Sequence, residues 1–454
     1  MTATGGRRLR DYVDGESSAR TVFRHSLMTF TSRIGIVLIN IPTSILIARL
    51  LGTTGQGTYI SAVTFPALFA FIGLLGIDSS HTYLLSQKRY TVAQVNGQGL
   101  LMTLAVTTVA VPCYLLFLQF YSGAVDPFLA SVLRLSAVLI PILLLKYLSV
   151  ALLLGMHRIR WFNVANLLQA ALLLALMCLN LFVFHGGPRG AILAYIASEF
   201  SVTGVALLVA RRELRGERMF ERPPPGMFKR SIIYGLQGHV GNVFVTFMYR
   251  FDMFLILSLA GLHMQGLYSI AVLLAEKLSH IPHSVQVVLF PRLSSLEQEE
   301  ANELTPRVTR NAFLVTLLAG AVLYLLSRSL VLLFYGEEFL PALRALRVLI
   351  PGVAMLSVAV VLSGYFSGSD RRIYQTIAAA VAFGVNVGLC FLWIPSHGIE
   401  GAAWASTTAY TLQSALMLAF FRRLSGRGLA ETIFIRREDL VLYGEILKKL
   451  ARRR

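Results

Sequence analysis

Acidic residues are scarce in this chain: 23 Asp and Glu stand against 41 Lys and Arg, and charged residues make up only 14% of 454. Soluble globular proteins carry about a quarter charged residues. A water-facing enzyme surface is therefore excluded. Cysteine is equally thin. Cys113, Cys178 and Cys390 each lie inside an apolar run, without CxxC spacing, so the sequence shows neither a disulfide framework nor a cysteine metal site. None of the six lysines follows a glycine, which removes the phosphate-cradling Gly-Lys loop of an ATP-driven pump. The GxG triplets at 55–57 and 97–99 lack the third glycine of a dinucleotide loop, and no HExxH occurs. Residues 1–25 are polar and basic, with no short apolar core of a cleavable signal.

What fills the space is apolar. Hydrophobic residues reach 56% and the mean hydropathy is +0.66. Runs of spanning length occur at 26–49, 58–86, 94–118, 131–155, 161–184 and 190–210, then at 231–258, 267–292, 309–334, 342–367, 373–394 and 400–421. Between the two sets lies RRELRGERMFERPPPGMFKR, residues 211–230, whose three consecutive prolines exclude a continuous helix. The expected organisation is a polar tail at 1–25, a lobe at 26–210, a basic linker at 211–230, a second lobe at 231–423 and a basic tail at 424–454.

The halves echo each other. Gly52, Gln56, Gly57, Tyr59, Ala62 and Val63 recur as Gly261, Gln265, Gly266, Tyr268, Ala271 and Val272. Leu133–Arg134 and Gly155 match Leu346–Arg347 and Gly368, while Gly187, Gly190 and Ala191 match Gly398, Gly401 and Ala402. Three agreements in one order at nearly one offset predict a duplicated helical bundle.

Charge placement gives the orientation. With the N-terminus inside, 31 of the 41 basic residues fall in inner connections and tails, while the outer connections 50–57, 259–266 and 395–399 have none. Both termini are expected to be cytoplasmic, and the +18 net charge reads as a topology signal, not as a nucleic-acid surface. The tail 437–454 puts Leu440, Tyr443, Leu447 and Leu450 on one helical side. It is expected either to lie on the inner leaflet or to fray and only enforce topology.

Within the spans sit Arg33, Lys146, Arg250 and Lys277, with Asp78, Glu199, Asp252 and Glu276. An unpaired charge at mid-bilayer costs roughly 2.5–3.5 kcal/mol on insertion scales, so these residues require partners, a hydrated cavity, or both. Thr29, Arg33, Asn40 and Ser44 share a polar stripe on the first span. Arg33 and Asp78 lie at similar depth on consecutive spans, so they either pair or serve separately. Arg250 and Asp252 point about 160° apart at 100° per residue and cannot pair with each other. Arg33, Asn40, Lys146, Arg250 and Lys277 are candidate substrate contacts. Asp78, Glu199, Asp252 and Glu276 are candidates for coupling or structural ion pairs. No metal site is expected.

The order of motifs resembles a known family. ARLLGTTGQGTYISAV resembles the first-to-second helix junction of the polysaccharide transporter family, the O-antigen-type flippases. RFDMFLILSLAGLHMQGLYSIAVLLAEKL resembles its seventh-to-eighth helix segment, and LFPRLSSL and LLFYGEEFLPALRALRVLIPG continue the match in order. The superfamily also holds multidrug extrusion pumps and lipid II flippases. The resemblance implies an all-α integral membrane protein of about twelve transmembrane helices in two six-helix lobes, V-shaped around a central cavity. Its implied cargo is a polyprenyl-pyrophosphate-linked oligosaccharide moved from the inner to the outer leaflet of the bacterial cytoplasmic membrane. By similarity, Arg33 and Arg250 are the implied head-group contacts. No cofactor is expected, with coupling to H+ or Na+ left open. Membrane lipids and other polysaccharide-assembly proteins are the further partners it allows. An ion-coupled drug or metabolite exporter is the alternative within transport, and a membrane-embedded glycosyl transferase or polymerase the alternative outside it.

Overall fold

The computed structural model describes residues 4–121, 126–214, 216, 218–436 and 438–439. Every regular element among them is helical: α1 (Thr4–Gly73), α2 (Ile77–Ser86), α3 (Val92–Tyr121), α4 (Pro127–Ser136), α5 (Leu139–Gly155), α6 (Ile159–Cys178), α7 (Gly187–Glu213), α8 (Met227–Ala260), α9 (Leu262–Glu276), α10 (His280–Ser295), α11 (Gln298–Phe334), α12 (Ala342–Gly368), α13 (Arg372–Ser425) and α14 (Leu429–Ile433). A π-helical turn, Leu179–Phe184, extends α6, and a 3-10 turn, Lys277–Ser279, joins α9 to α10. In lipid each backbone polar group must be satisfied within its own segment, so apolar runs of this length fold as helices.

Nine helical runs among the described residues are long and apolar enough to cross a membrane. Two of these runs, Thr31–Gly73 and Arg372–Ser425, each contain a non-helical kink, at Gly52 and Gly398, where two helices meet with no loop between them. Conversely, the 3-10 turn divides the eighth expected span into α9 and α10. The chain is an all-helical, multi-pass membrane protein.

The repeated glycines have a common cause. Gly52 has φ 65° and its counterpart Gly261 has φ 86°, a backbone region that side chains with a Cβ rarely adopt. Gly187 and Gly398 also share positive φ. Gly155 and Gly368 end α5 and α12. The sequence echo is therefore an echo of backbone geometry.

Contacts divide the chain into two compact units. The first holds Met1–Leu50, Phe69–Phe120 and Pro127–Gln237; the second holds Leu51–Leu68, Tyr121–Asp126 and Gly238–Arg454. In the first unit α5, α6 and α7 pack through Leu153, Ala165, Val202, Ala206 and Val209. With lipid as apolar as the helices, small residues that permit close approach take over from the hydrophobic effect. In the second unit α12 is the central helix, with α11 and α13 packed against it and buried residues on all its faces.

The second unit includes a segment of α1 that lies far from it in sequence, and the reason is a backbone-to-backbone crossing. A Cβ on Gly57 would run into the Leu262 carbonyl, and one on Gly266 into the Thr53 carbonyl. Around this crossing Gln56 donates to Ser269 at 3.1 Å and Ser61 donates to Gln265 at 2.6 Å. One turn further on, Phe65 stacks on Phe254, with ring centroids 3.9 Å apart. Both repeat copies of the Gln-Gly pair thus meet at one place.

Candidate functional site

The second unit carries the most unusual intramembrane group. Asp252 on α8 is 1% exposed, and every one of its hydrogen-bond donors is neutral. The Tyr268 hydroxyl on α9 donates to Oδ2 at 2.7 Å, Ser406 on α13 donates at 3.2 Å, and the Met253 N–H donates to Oδ1 at 2.8 Å. Asn386 donates to Ser406 at 3.4 Å, extending the network along α13. A buried carboxylate that ionises among neutral donors is costly, and the nearby Arg250 charge, itself paired with Glu276, offsets that only in part. The site can therefore gain a proton or a small cation and settle electrostatically. No group of metal-ligating residues occurs among the described residues.

Two residues earlier, Arg250 turns to α9. Its Nη1 lies 2.8 Å from Glu276 Oε1 and its Nη2 donates to Oε2 at 3.1 Å, a two-pronged pair in which each side chain is about a third exposed. The divergent directions of Arg250 and Asp252 thus lead each to a separate partner. Lys277, the first residue of the 3-10 turn that follows α9, is half-buried.

The first unit holds a second ion pair. Lys146 Nζ on α5 lies 2.6 Å from Glu199 Oε2 on α7, and Glu199 is 1% exposed. Gln169 on α6 reaches the other carboxylate oxygen at 3.4 Å and Ser198 at 3.3 Å. Lys146, a candidate substrate contact, is therefore committed to Glu199.

Arg33 and Asp78 do not pair. Arg33 and Asn40 are exposed on α1, and Arg33 has no ion-pair partner among the described residues. Asp78 is half-buried in the first turn of α2, after a left-handed Gly76. A carboxylate there faces the positive end of the helix dipole, which favours its charge.

Two further clusters centre on carboxylates outside the spans, Glu338 and Asp439. At the start of the α9 side, Glu338 accepts from the Thr53 N–H at 2.9 Å and from the Thr53 hydroxyl at 2.6 Å, while His263 Nδ1 lies 2.8 Å from that hydroxyl. Those hydrogen bonds hold the Glu338 carboxyl below its ordinary range. The Thr53 proton goes to Glu338, so His263 Nδ1 must be the donor in its contact. After the last span, Asp439 is fully buried against α11 and takes both prongs of Arg310, at 2.5 and 2.9 Å. The Asn311 amide and the Arg436 N–H also donate to it. Sequence reading missed both clusters, as it did Tyr268 and Ser406. The one available signal was the repeat itself, which marks Tyr268 as the counterpart of Tyr59. The basic tail surface expected over 437–454 lies outside the described residues apart from Glu438 and Asp439.

Solved structures share this fold. An inward-facing multidrug resistance MATE family transporter of the MOP superfamily aligns with a TM-score of 0.68 at 14% identity, covering 88% of this chain and 98% of that one. A MOP superfamily transporter of Pyrococcus furiosus aligns at 0.61 and 15% identity, covering 89% and 95%. A MATE transporter of Vibrio cholerae aligns at 0.60 and 13%, covering 91% and 99%. The chain shares the fold of these transporters. It belongs to the polysaccharide biosynthesis protein family, which it matches over residues 22–297. A Shigella flexneri protein assigned to O-antigen transport is 22% identical over 411 residues, covering 85% of this chain and 94% of that one.

Proposed function

We propose that this protein is a flippase. It moves a polyprenyl-diphosphate-linked oligosaccharide from the inner to the outer leaflet of the bacterial cytoplasmic membrane by alternating access, with both termini in the cytoplasm. The family match over 22–297 carries the reading, because it separates surface-polysaccharide assembly from the drug transporters that share the fold. The chemistry supports it. A diphosphate with sugars cannot cross hydrocarbon unaided, and a two-pronged guanidinium suits phosphate oxygens. Arg33, exposed and uncommitted, is the first head-group contact in this reading, with Asn40 on the same stripe for hydroxyls. Arg250 can join only by exchanging Glu276 for phosphate, and Lys277 is the adjacent charge that such an exchange would use.

Coupling is assigned to Asp252. Glu199 is already neutralised by Lys146, whereas Asp252 has only neutral donors and so has most to gain from H+ or Na+. The test is a deletion strain without a redundant flippase. Surface polysaccharide should fall to background while the lipid-linked precursor persists, and a plasmid copy should restore it. Normal surface glycan together with new drug sensitivity would assign the protein to drug export instead.

A further inference from the structure

The first unit has a cavity of about 740 Å³ at the inner end of α7, lined by Gly204, Leu207, Leu208, Arg211, Gly216 and Met219. Gly204, Leu207 or Leu208, and Arg211 repeat at three- and four-residue spacing, so they form one stripe about 10 Å long down the helix. The stripe is graded. Its membrane end is Gly204, where a Cβ would meet nothing within 4 Å, followed by Leu208 at 61% exposure. Its aqueous end is Arg211, exposed and without an ion-pair partner among the described residues, beside Arg212 in the same last turn.

The opposite wall is held in place. Asn96 donates to the Met219 carbonyl at 2.8 Å, and the Glu221 N–H donates to Ala93 at 3.2 Å, tying the linker to the first turns of α3. Gly97 lacks a Cβ where the Glu221 carbonyl passes. Met219 packs on the buried cluster of Leu85, Val95, Leu152, Ala210 and Met227. The Met219 side of the groove is thus anchored to α3.

We infer that this groove binds one anionic phospholipid of the inner leaflet, its phosphate at Arg211 and Arg212 and the start of an acyl chain over Leu208 and Gly204. Charge complementarity commits the occupant. The groove is apolar toward the membrane and cationic at headgroup depth, and the stretch 211–230 that runs through it holds seven Lys and Arg against three Glu. The carbonyl end of α7 disfavours an anion by itself, so attraction must come from the arginines. A zwitterionic lipid gains little from them. This inference does not depend on the cargo assigned above.

The full chain, purified in neutral detergent, is titrated with phosphatidylglycerol or phosphatidylcholine, and bound lipid is counted by native mass spectrometry. Phosphatidylglycerol should be retained more tightly. Each of Arg211→Ala and Arg212→Ala should weaken it by about fivefold, near 1 kcal/mol per surface arginine. Gly204→Leu fills the groove without altering charge and should weaken it comparably. A thermal melt of each variant confirms folding, and Gly204→Leu in open space keeps the test alive if an arginine variant fails to fold. Equal retention of the two lipids would overturn the inference. So would undiminished phosphatidylglycerol binding in Gly204→Leu, since loss in the arginine variants alone would mean diffuse attraction without a groove. Preferential retention of a polyprenyl diphosphate over phosphatidylglycerol at this groove would also overturn it and make the site a cargo site.

Discussion

At the scale of single residues, the charges sort by whether a protein partner has already been supplied. Lys146 and Glu199 are such a pair, and Glu199→Ala should leave a half-buried lysine without its partner at a cost of about 2–3 kcal/mol, below that of a fully buried pair. The expected outcome is loss of membrane-inserted protein on an immunoblot. The double change Lys146→Met with Glu199→Leu should recover abundance, because removing both charges removes the debt. Asp252→Asn should behave differently. It keeps the shape and one oxygen to accept from Tyr268 and Ser406, and loses only the acceptor for the Met253 N–H, so abundance should fall modestly while transport loses its dependence on the H+ or Na+ gradient. Burial alone would raise the Asp439 carboxyl, but the hydrogen bonds from Arg310 and Arg436 and the Arg310 charge outweigh it and hold it below the ordinary range. A depressed folded value means stability that is present above the unfolded carboxylate range and lost as pH falls through the folded one. Asp439→Asn should therefore lower the melting temperature at neutral pH and flatten its decline in acid, measured by detergent-solubilised melts. The sequence alone disclosed which charges were intramembrane and that Arg250 and Asp252 diverge, since helical periodicity fixes direction. It could not name the partners. Asp439 and Arg310 lie 129 residues apart, and nothing in either local stretch points to the other.

At the scale of elements, the repeat was legible because backbone demands are local. A positive φ at Gly52 and Gly261 selects glycine in both halves, whatever surrounds it. What the repeat does was less legible. That Gly57 and Gly266 pack on each other is a tertiary fact, since each glycine alone is equally consistent with a packing seam anywhere. The crossing makes a sharp expectation. Gly57→Leu or Gly266→Leu must push two backbones apart and should abolish folded protein, whereas Gly388→Ala, where a Cβ meets nothing within 4 Å, should be neutral or slightly stabilising. Fluorescence-detected size exclusion of the three variants checks this. Helix boundaries were less legible than the spans. Hydropathy sees twelve apolar stretches, but a kink at a single glycine, Gly52 or Gly398, joins two helices with no loop between them, and a 3-10 turn divides one stretch into two.

At the scale of the whole molecule, the fold is shared with transporters and the family is that of polysaccharide biosynthesis proteins, while the charge map sets the proposed direction. A reporter inserted at Thr53–Gly55 should read outside and one fused after Arg423 should read cytoplasmic; the reverse would invert the map. The central claim is the movement of a lipid-linked glycan, and reconstitution tests it most directly. Purified protein in liposomes carrying a fluorescent polyprenyl-diphosphate oligosaccharide is exposed to a membrane-impermeant quencher. In protein-free vesicles only the outer-leaflet half of the label should be quenched. With the protein and an ion gradient the quenched share should rise well beyond half, and Arg33→Ala at equal reconstitution should reduce the rate at least tenfold. Quenching that stops at half with folded wild-type protein, while the same vesicles export a cationic dye, would contradict the account.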